Sequence, residues 1–174
     1  GIEVSKSSID YAKEKGLEIT DKLLSELISE GKVYDGICLA AVLEHVHDPL
    51  IFMSEISSLL KKGGALYIDC PREPNLLMLV GNFVNKITGS SAVYNLQPTW
   101  EPYHVYGFNP KSLRIILGKQ NIKITNIRIH GYPYVSHGVG GIIDSVKLFT
   151  AAQIEKLGNL LGLGSNMYVW CKKE

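Results

Sequence analysis

No apolar run in this sequence is long enough to cross a bilayer, and its opening "GIEVSKSSID" lacks a basic patch leading into an apolar stretch. Neither a membrane span nor an export signal is therefore expected. A dominant charge is missing too, since 18 Lys and Arg stand against 17 Asp and Glu for a formal net charge of +1. Without a broad basic field to steer toward phosphate backbones, neither nucleic acid nor a membrane is an expected partner. Cysteine is scarce: Cys38, Cys70 and Cys171 lie far apart inside apolar or strand-like runs. That suits buried thiols in a reducing compartment, not a disulfide framework, and places the chain in the cytoplasm. Internal repeats and low-complexity tracts are also lacking.

What is present is a chain of 174 residues, 45% hydrophobic and 20% charged, enough for a single domain over 1–174 with one packed core. It begins at Gly1 and runs straight into the strand-like "GIEVS", which reads as a piece excised from a longer polypeptide.

The local patterns alternate between strand and helix. "SKSSIDYAKEKG" reads as a short helix with a capping box at Ser7 and Asp10 and a stop at Gly16. A second helix follows Thr20 and Asp21, with Leu23, Leu24, Leu27 and Ile28 on one face to pack on a sheet. "YDGICLAAVLEHV" is nearly continuous in apolar residues as far as Leu43, the pattern of a strand covered on both faces of a parallel sheet. Asp48 and Pro49 then supply an N-cap and a first helical position for a helix that stops at Gly63 and Gly64, before the strand "ALYIDCP". Strand, helix, Gly-Gly and strand over 34–70 predict adjacent parallel strands joined by a right-handed crossover, hence an α/β class. Asn109 and Pro110 open a helix to Gly118, and the isoleucines of "IKITNIRIHG" alternate with one slip that predicts a bulge or a fully buried stretch. Thr150 and Gln153 open a helix to about Leu161, and "MYVWCKK" is a final strand. Residues 72–108 are too long for a plain connection and predict a lid or binding loop beside the carboxyl ends of the strands.

The stretch "VLEHVHDP" carries Glu44, His45, His47 and Asp48. As a metal site it lacks partners, because His104, His130 and His137 are scattered along the sequence; no metal is expected. As a solvated loop it needs only Asp48 to cap the helix that follows. As a loop leaving the carboxyl end of a core strand in an open parallel sheet, it touches a ligand whatever its chemistry.

Taken as a block, "YDGICLAAVLEHVHDPLIFMSEISSLLKKGGALYIDCP" resembles the fourth strand, following helix and fifth strand of class I S-adenosylmethionine-dependent methyltransferases, in the branch acting on small molecules. The resemblance implies a Rossmann-like, mostly parallel twisted sheet with flanking helices, S-adenosylmethionine as cofactor, and a small-molecule acceptor. Under it "GIEVS" is similar to the family's second strand. Glu3 would then bind the ribose, a carboxylate being a natural bidentate acceptor for a vicinal diol. Ala40, Ala41, Val42, Glu44 and His45 would border the cofactor, His45 near its sulfonium end. "YHVYGFNPKSLRIILGKQNIKITNI" resembles the later block in which a histidine and an aromatic precede a helix and the sixth strand, and "MYVWCKK" the seventh. His104 in that block is read as a general base or substrate contact, with a histidine bonded to backbone as the other reading. Methyl transfer needs mainly in-line positioning, so a base is optional. Trp100, Tyr103, Tyr106 and Phe108 read as an apolar wall over an acceptor or as lid packing. "LLMLVGNFV" is expected to be buried against its own domain or a twin chain.

The family's first strand and glycine-rich turn belong just before "GIEVS" and are not in the sequence, while "GVGG" at 138–141 follows no strand-to-helix pattern. The domain is thus expected to be truncated at its N-terminus, leaving the edge of 34–43 open. That edge would be covered by "GIEVS", paired in a homodimer, or filled by more of a longer parent enzyme. The functional expectation is methyl transfer as part of that parent. A noncatalytic methyltransferase-like module for dimerisation or regulation is the alternative, and a metal-dependent hydrolase a distant third.

Overall fold

The computed structural model describes residues 1–93, 103–131 and 142–174, the last with side chains from Ser145. In chain order the elements are α1 (Lys6–Glu14), α2 (Leu24–Ser29), β1 (Tyr34–Ala40), a 3₁₀ turn (Leu43–His45), α3 (Pro49–Leu59), β2 (Leu60–Pro71), α4 (Leu76–Ile87), α5 (Pro110–Gly118), β3 (Ile122–His130), α6 (Ile142–Leu160) and β4 (Asn166–Lys173). One sheet runs in the order β1-β2-β4-β3. The β1–β2 pairing is parallel, and β4 is antiparallel to both neighbours. Three strands therefore share one direction, and the α/β expectation holds, with flanking helices.

The crossover from β1 to β2 follows from local chemistry. Asp48 Oδ1 accepts from Leu50 N at 3.0 Å and Ile51 N at 2.9 Å, and Pro49 sits at the first helical position, so α3 starts where its orphan amides find an acceptor. Its Met53, Ile56 and Leu59 pack inward. Leu66, Ile68 and Cys70 of β2 alternate toward the same side, joined by Met167 and Val169 of β4 and Leu113 and Leu117 of α5 in one core cluster. Each such side chain contributes about 1.5–3 kcal/mol of burial. The slip in β3 is a register shift between Ile124 and Asn126, as the isoleucine pattern predicts.

The other sheet face is open among the described residues, which corrects the expectation of a strand covered on both sides. Gly36, Cys38 and Ala40 of β1 are exposed there, and Gly36 and Cys38 with Ala65, Tyr67, Thr125 and Trp170 line a groove of about 650 Å³. Cys38 is therefore not a buried thiol, although Cys70 and Cys171 are. Nor does "GIEVS" cover the edge of β1: Ile2 forms an isolated parallel bridge with Thr20, and among the described residues β1 is registered only with β2.

Other expectations shift for local reasons. α1 is capped at Ser5 without a side-chain bond, so Ser7 and Asp10 lie inside the helix. α2 packs on α3 instead of a sheet, because β1 is the last strand on that side. α6 begins at Ile142, not Thr150; the Thr150 hydroxyl instead donates to the Val146 carbonyl within the helix. α4 has no buried residue and packs on α6, leaving Phe83 64% and Ile87 66% exposed, contrary to the expected burial against its own domain. The helix it packs on leaves its own Phe149 and Leu160 exposed, so neither helix shields the other fully.

Candidate active site

The chain leaves β1 at a point fixed by backbone geometry. Ala41 N donates to the Asp69 carbonyl at 2.9 Å and Ala41 adopts a φ of 50°, a left-handed conformation that non-glycine residues rarely adopt. The strand cannot continue, and Val42 passes into the 3₁₀ turn. Leu43 is anchored in the core at 0% exposure, which carries the neighbouring Glu44 inward to 2%.

A second segment is stapled onto this turn. The Glu44 carbonyl accepts from Val105 N at 2.7 Å and Tyr106 N at 3.2 Å, and the Tyr106 hydroxyl donates to the His47 carbonyl at 3.2 Å. His45 Nδ1 donates to the Tyr103 carbonyl at 2.8 Å, which leaves Nε2 of a neutral imidazole as the acceptor nitrogen. Nε2 lies 3.9 Å from Glu44 Oε1. The same staple sets the His104 ring edge-on to His45, with centroids 4.9 Å apart.

Glu44, His45 and His104 thus converge although they are distant in sequence. One donor atom from each lies within 4.8 Å of the others, a mixed carboxylate and imidazole set with the chemistry to hold a divalent cation or to relay a proton. Glu44 Oε2 is buried with no hydrogen-bond partner among the described residues. Burial pushes the Glu44 carboxyl above the usual carboxylate range, with Asp69 adding to the effect. Burial, reinforced by His45, holds His104 below the usual histidine range, so its imidazole is neutral near pH 7 and able to accept a proton.

The remaining expected site residues divide. Ala40, Ala41 and Val42 line the exit from β1 and are exposed, leaving room beside the turn. Glu3 stands apart on the Ile2–Thr20 bridge, its Oε1 accepting from Val4 N at 2.8 Å and Ser5 N at 2.9 Å. Those amides lower its pKa and keep it ionised. Tyr103 and Tyr106 are exposed and Phe108 is buried at 3%, so Phe108 is core packing; Trp100, His137 and the 138–141 glycines lie outside the described residues. A second polar group at the same sheet edge, Asp69, His130 and Asn166, had no signal in the sequence, because only strand pairing brings its members together.

A sheet in which β1, β2 and β3 run one way around an antiparallel β4, with a titratable cluster where β1 ends, defines a Rossmann-like domain with its ligand edge at the carboxyl ends of the strands. Residues 2–126 match the family model described as "Methyltransferase domain", and the chain belongs to that family. It is 29% identical over 136 residues to a ubiquinone biosynthesis O-methyltransferase of Pelagibacter ubique, with 73% of this chain and 53% of that sequence covered. Its fold is similar to a SAM-dependent methyltransferase of Archaeoglobus fulgidus, at a TM-score of 0.61 and 18% identity with 99% and 75% of the two chains covered. It is similar also to magnesium protoporphyrin IX methyltransferase of Synechocystis with bound SAH, at a TM-score of 0.54 and 14% identity with 100% and 63% covered. The chain spans about half the length of the Pelagibacter relative.

Proposed function

We propose that this chain carries the acceptor-side half of an S-adenosylmethionine-dependent methyl transfer to a hydroxyl of a small molecule. The observation that carries this reading is the convergence of Glu44, His45 and His104 at the carboxyl end of β1. The family membership and the O-methyltransferase relative support it. The cofactor, when bound, supplies an electrophilic methyl group. Ala40, Ala41 and Val42 leave space for it beside the turn, Glu44 and His45 border it, and Glu3 offers an ionised acceptor to its ribose. These are small, polar and anionic groups suited to a sugar and a sulfonium cation.

The chain's own contribution is positioning and proton removal. His104, neutral near pH 7, takes the hydroxyl proton of the acceptor at Nδ1 or Nε2. His45 is oriented by the Tyr103 carbonyl, and Glu44 balances the charge that develops when a proton arrives. A divalent cation held by the same three side chains would compete with this role, and zinc analysis of the purified chain separates the two. Two copies pairing through the open edge of β1 are also part of the proposal, tested by the mass in solution.

Calorimetry with S-adenosylmethionine and S-adenosylhomocysteine tests the cofactor reading. Heat with a melting shift is expected; neither would leave a noncatalytic module as the better description. With a parent enzyme in hand, His104→Gln should lower kcat by about 10²–10⁴-fold, and the acid limb of the pH profile should fall below the ordinary histidine range because His104 titrates low.

A further inference from the structure

The strap 103–108 that carries His104 is tied down at two points. At the first, the Val105 and Tyr106 amides donate to the Glu44 carbonyl, and the Tyr106 hydroxyl donates to the His47 carbonyl. At the second, the Phe108 carbonyl accepts from Glu73 N at 2.7 Å, Phe108 forms a parallel bridge with Arg72, and Asn109 Nδ2 donates to the Glu73 carbonyl at 3.3 Å. Phe108 itself is buried in the core. A single residue, Gly107, separates the two ties.

What Gly107 supplies is room. It is not among the residues with positive φ, so a left-handed backbone is not what selects glycine there. A Cβ built on it would stand 2.8 Å from both Cβ and Cδ of Glu73 and nearer still to Oε2, inside the distance at which unbonded carbons attract. The backbone on either side of Glu73 is held: Arg72 N donates to the Ser165 carbonyl at 2.9 Å, Asn75 Nδ2 donates to the Arg72 carbonyl at 3.2 Å, and Leu76 N donates to the Leu163 carbonyl at 2.8 Å. The Glu73 carboxyl has no electrostatic task here. Burial alone raises it above the usual carboxylate range, with no hydrogen bond or neighbouring charge acting on it among the described residues. Its shape is what the site uses, filling the space beside the glycine.

The consequence falls on His104. Its ring stands edge-on to His45 with centroids 4.9 Å apart, and Val105 and Tyr106, bonded to the turn, are all that lies between it and Gly107. A push on the strap at Gly107 passes through those two residues to the ring. We propose that Glu73 and Gly107 are positioning residues: the side chain of one, seated against the bare backbone of the other, sets the reach of the strap and thereby the placement of His104 beside His45. The proposal rests on the methyl-transfer reading, in which His104 takes the proton, and assigns no chemistry to either residue.

NMR of the 174-residue chain measures the placement without cofactor or acceptor, through the cross-peak between the ring protons of His45 and His104, assigned with His104→Gln. The cross-peak should be lost in Gly107→Ala, weakened in Glu73→Gly, and kept in Glu73→Gln, which has the same shape. It should return when Glu73→Gly and Gly107→Ala are combined, because the space then moves from one residue to the other. In a parent enzyme Gly107→Ala should lower kcat by about 10²-fold, the cost of a small misplacement passed to the reacting groups, with KM for S-adenosylmethionine within about twofold. A cross-peak that survives Gly107→Ala, that is lost in Glu73→Gln, that the combined variant does not restore, or that is missing from the unaltered chain overturns the proposal. Should Gly107→Ala fail to fold, Glu73→Gly against Glu73→Gln decides, equal cross-peaks overturning it. A parent enzyme without methyl transfer counts against the methyl-transfer reading, and the cross-peaks still decide the placement.

Discussion

Glu44 shows how a single residue can be costly to the fold and useful to the site. Its side chain is 2% exposed and Oε2 has no partner among the described residues, an arrangement that stays only where the surroundings enforce it. Because burial raises its folded pKa above the ordinary carboxylate range, the native state favours the protonated acid. The stability this provides is complete below the unfolded pKa and is lost as pH rises through the folded one. At pH 7.5 the ionised carboxylate is therefore a net cost, and Glu44→Gln should raise the melting temperature by about 2–4 °C, equivalent to about 1 kcal/mol. The gain should shrink toward zero as the scan pH is lowered past 4.5. Under the proposed role, the same substitution in a parent enzyme should weaken proton removal by His104, because a neutral amide cannot balance a protonated His104. The presence of Glu44 and His45 was legible in the sequence through their spacing from the strand. Their meeting with His104 was not, because it depends on backbone bonds from Val105 and Tyr106 to the Glu44 carbonyl.

Among the elements, α5 was legible to the residue and α3 at its start, since Asp48-Pro49 and Asn109-Pro110 are local caps with both amide partners in place; α3 ends at Leu59 and β2 begins at Leu60, ahead of the expected stop at Gly63 and Gly64. Asp48→Ala should cost about 1 kcal/mol, and Leu113→Ala, at 0% exposure in α5, about 2–5 kcal/mol; chemical denaturation measures both. α4 is the contrasting case. "LLMLVGNFV" is apolar enough to predict burial, yet Phe83 is 64% exposed. Phe83→Ser should therefore change the unfolding free energy by less than about 0.5 kcal/mol, and a larger loss would show that the side chain is covered in solution. Periodicity reports that a helix has an apolar face; it does not report what packs on that face.

At the scale of the whole molecule, the sheet has one face filled and one face open among the described residues. Thiol chemistry reads this division directly. Cys38 is on the open face, whereas burial pushes Cys70 well above the ordinary thiol range and Cys171 up to about 12. One of the three cysteines should react quickly with an aromatic disulfide reagent in the native protein, and all three after denaturation. Slow labelling of Cys38 would mean that another surface covers this face. Pairing of two copies through the β1 edge, by contrast, would leave Cys38 reactive, because the edge and the face are different surfaces of the strand.

The sequence by itself determined the class. Apolar runs, helix caps and the 34–71 block specify the β1–α3–β2 crossover because those signals are local, acting over neighbouring residues and single turns. Tertiary structure alone decided the sites. Glu44 with His104, and Asp69 with His130 and Asn166, are joined by a stapled loop and by the register of β4 between β2 and β3. Such long-range pairing is set by how the core closes, and no window of sequence contains both partners.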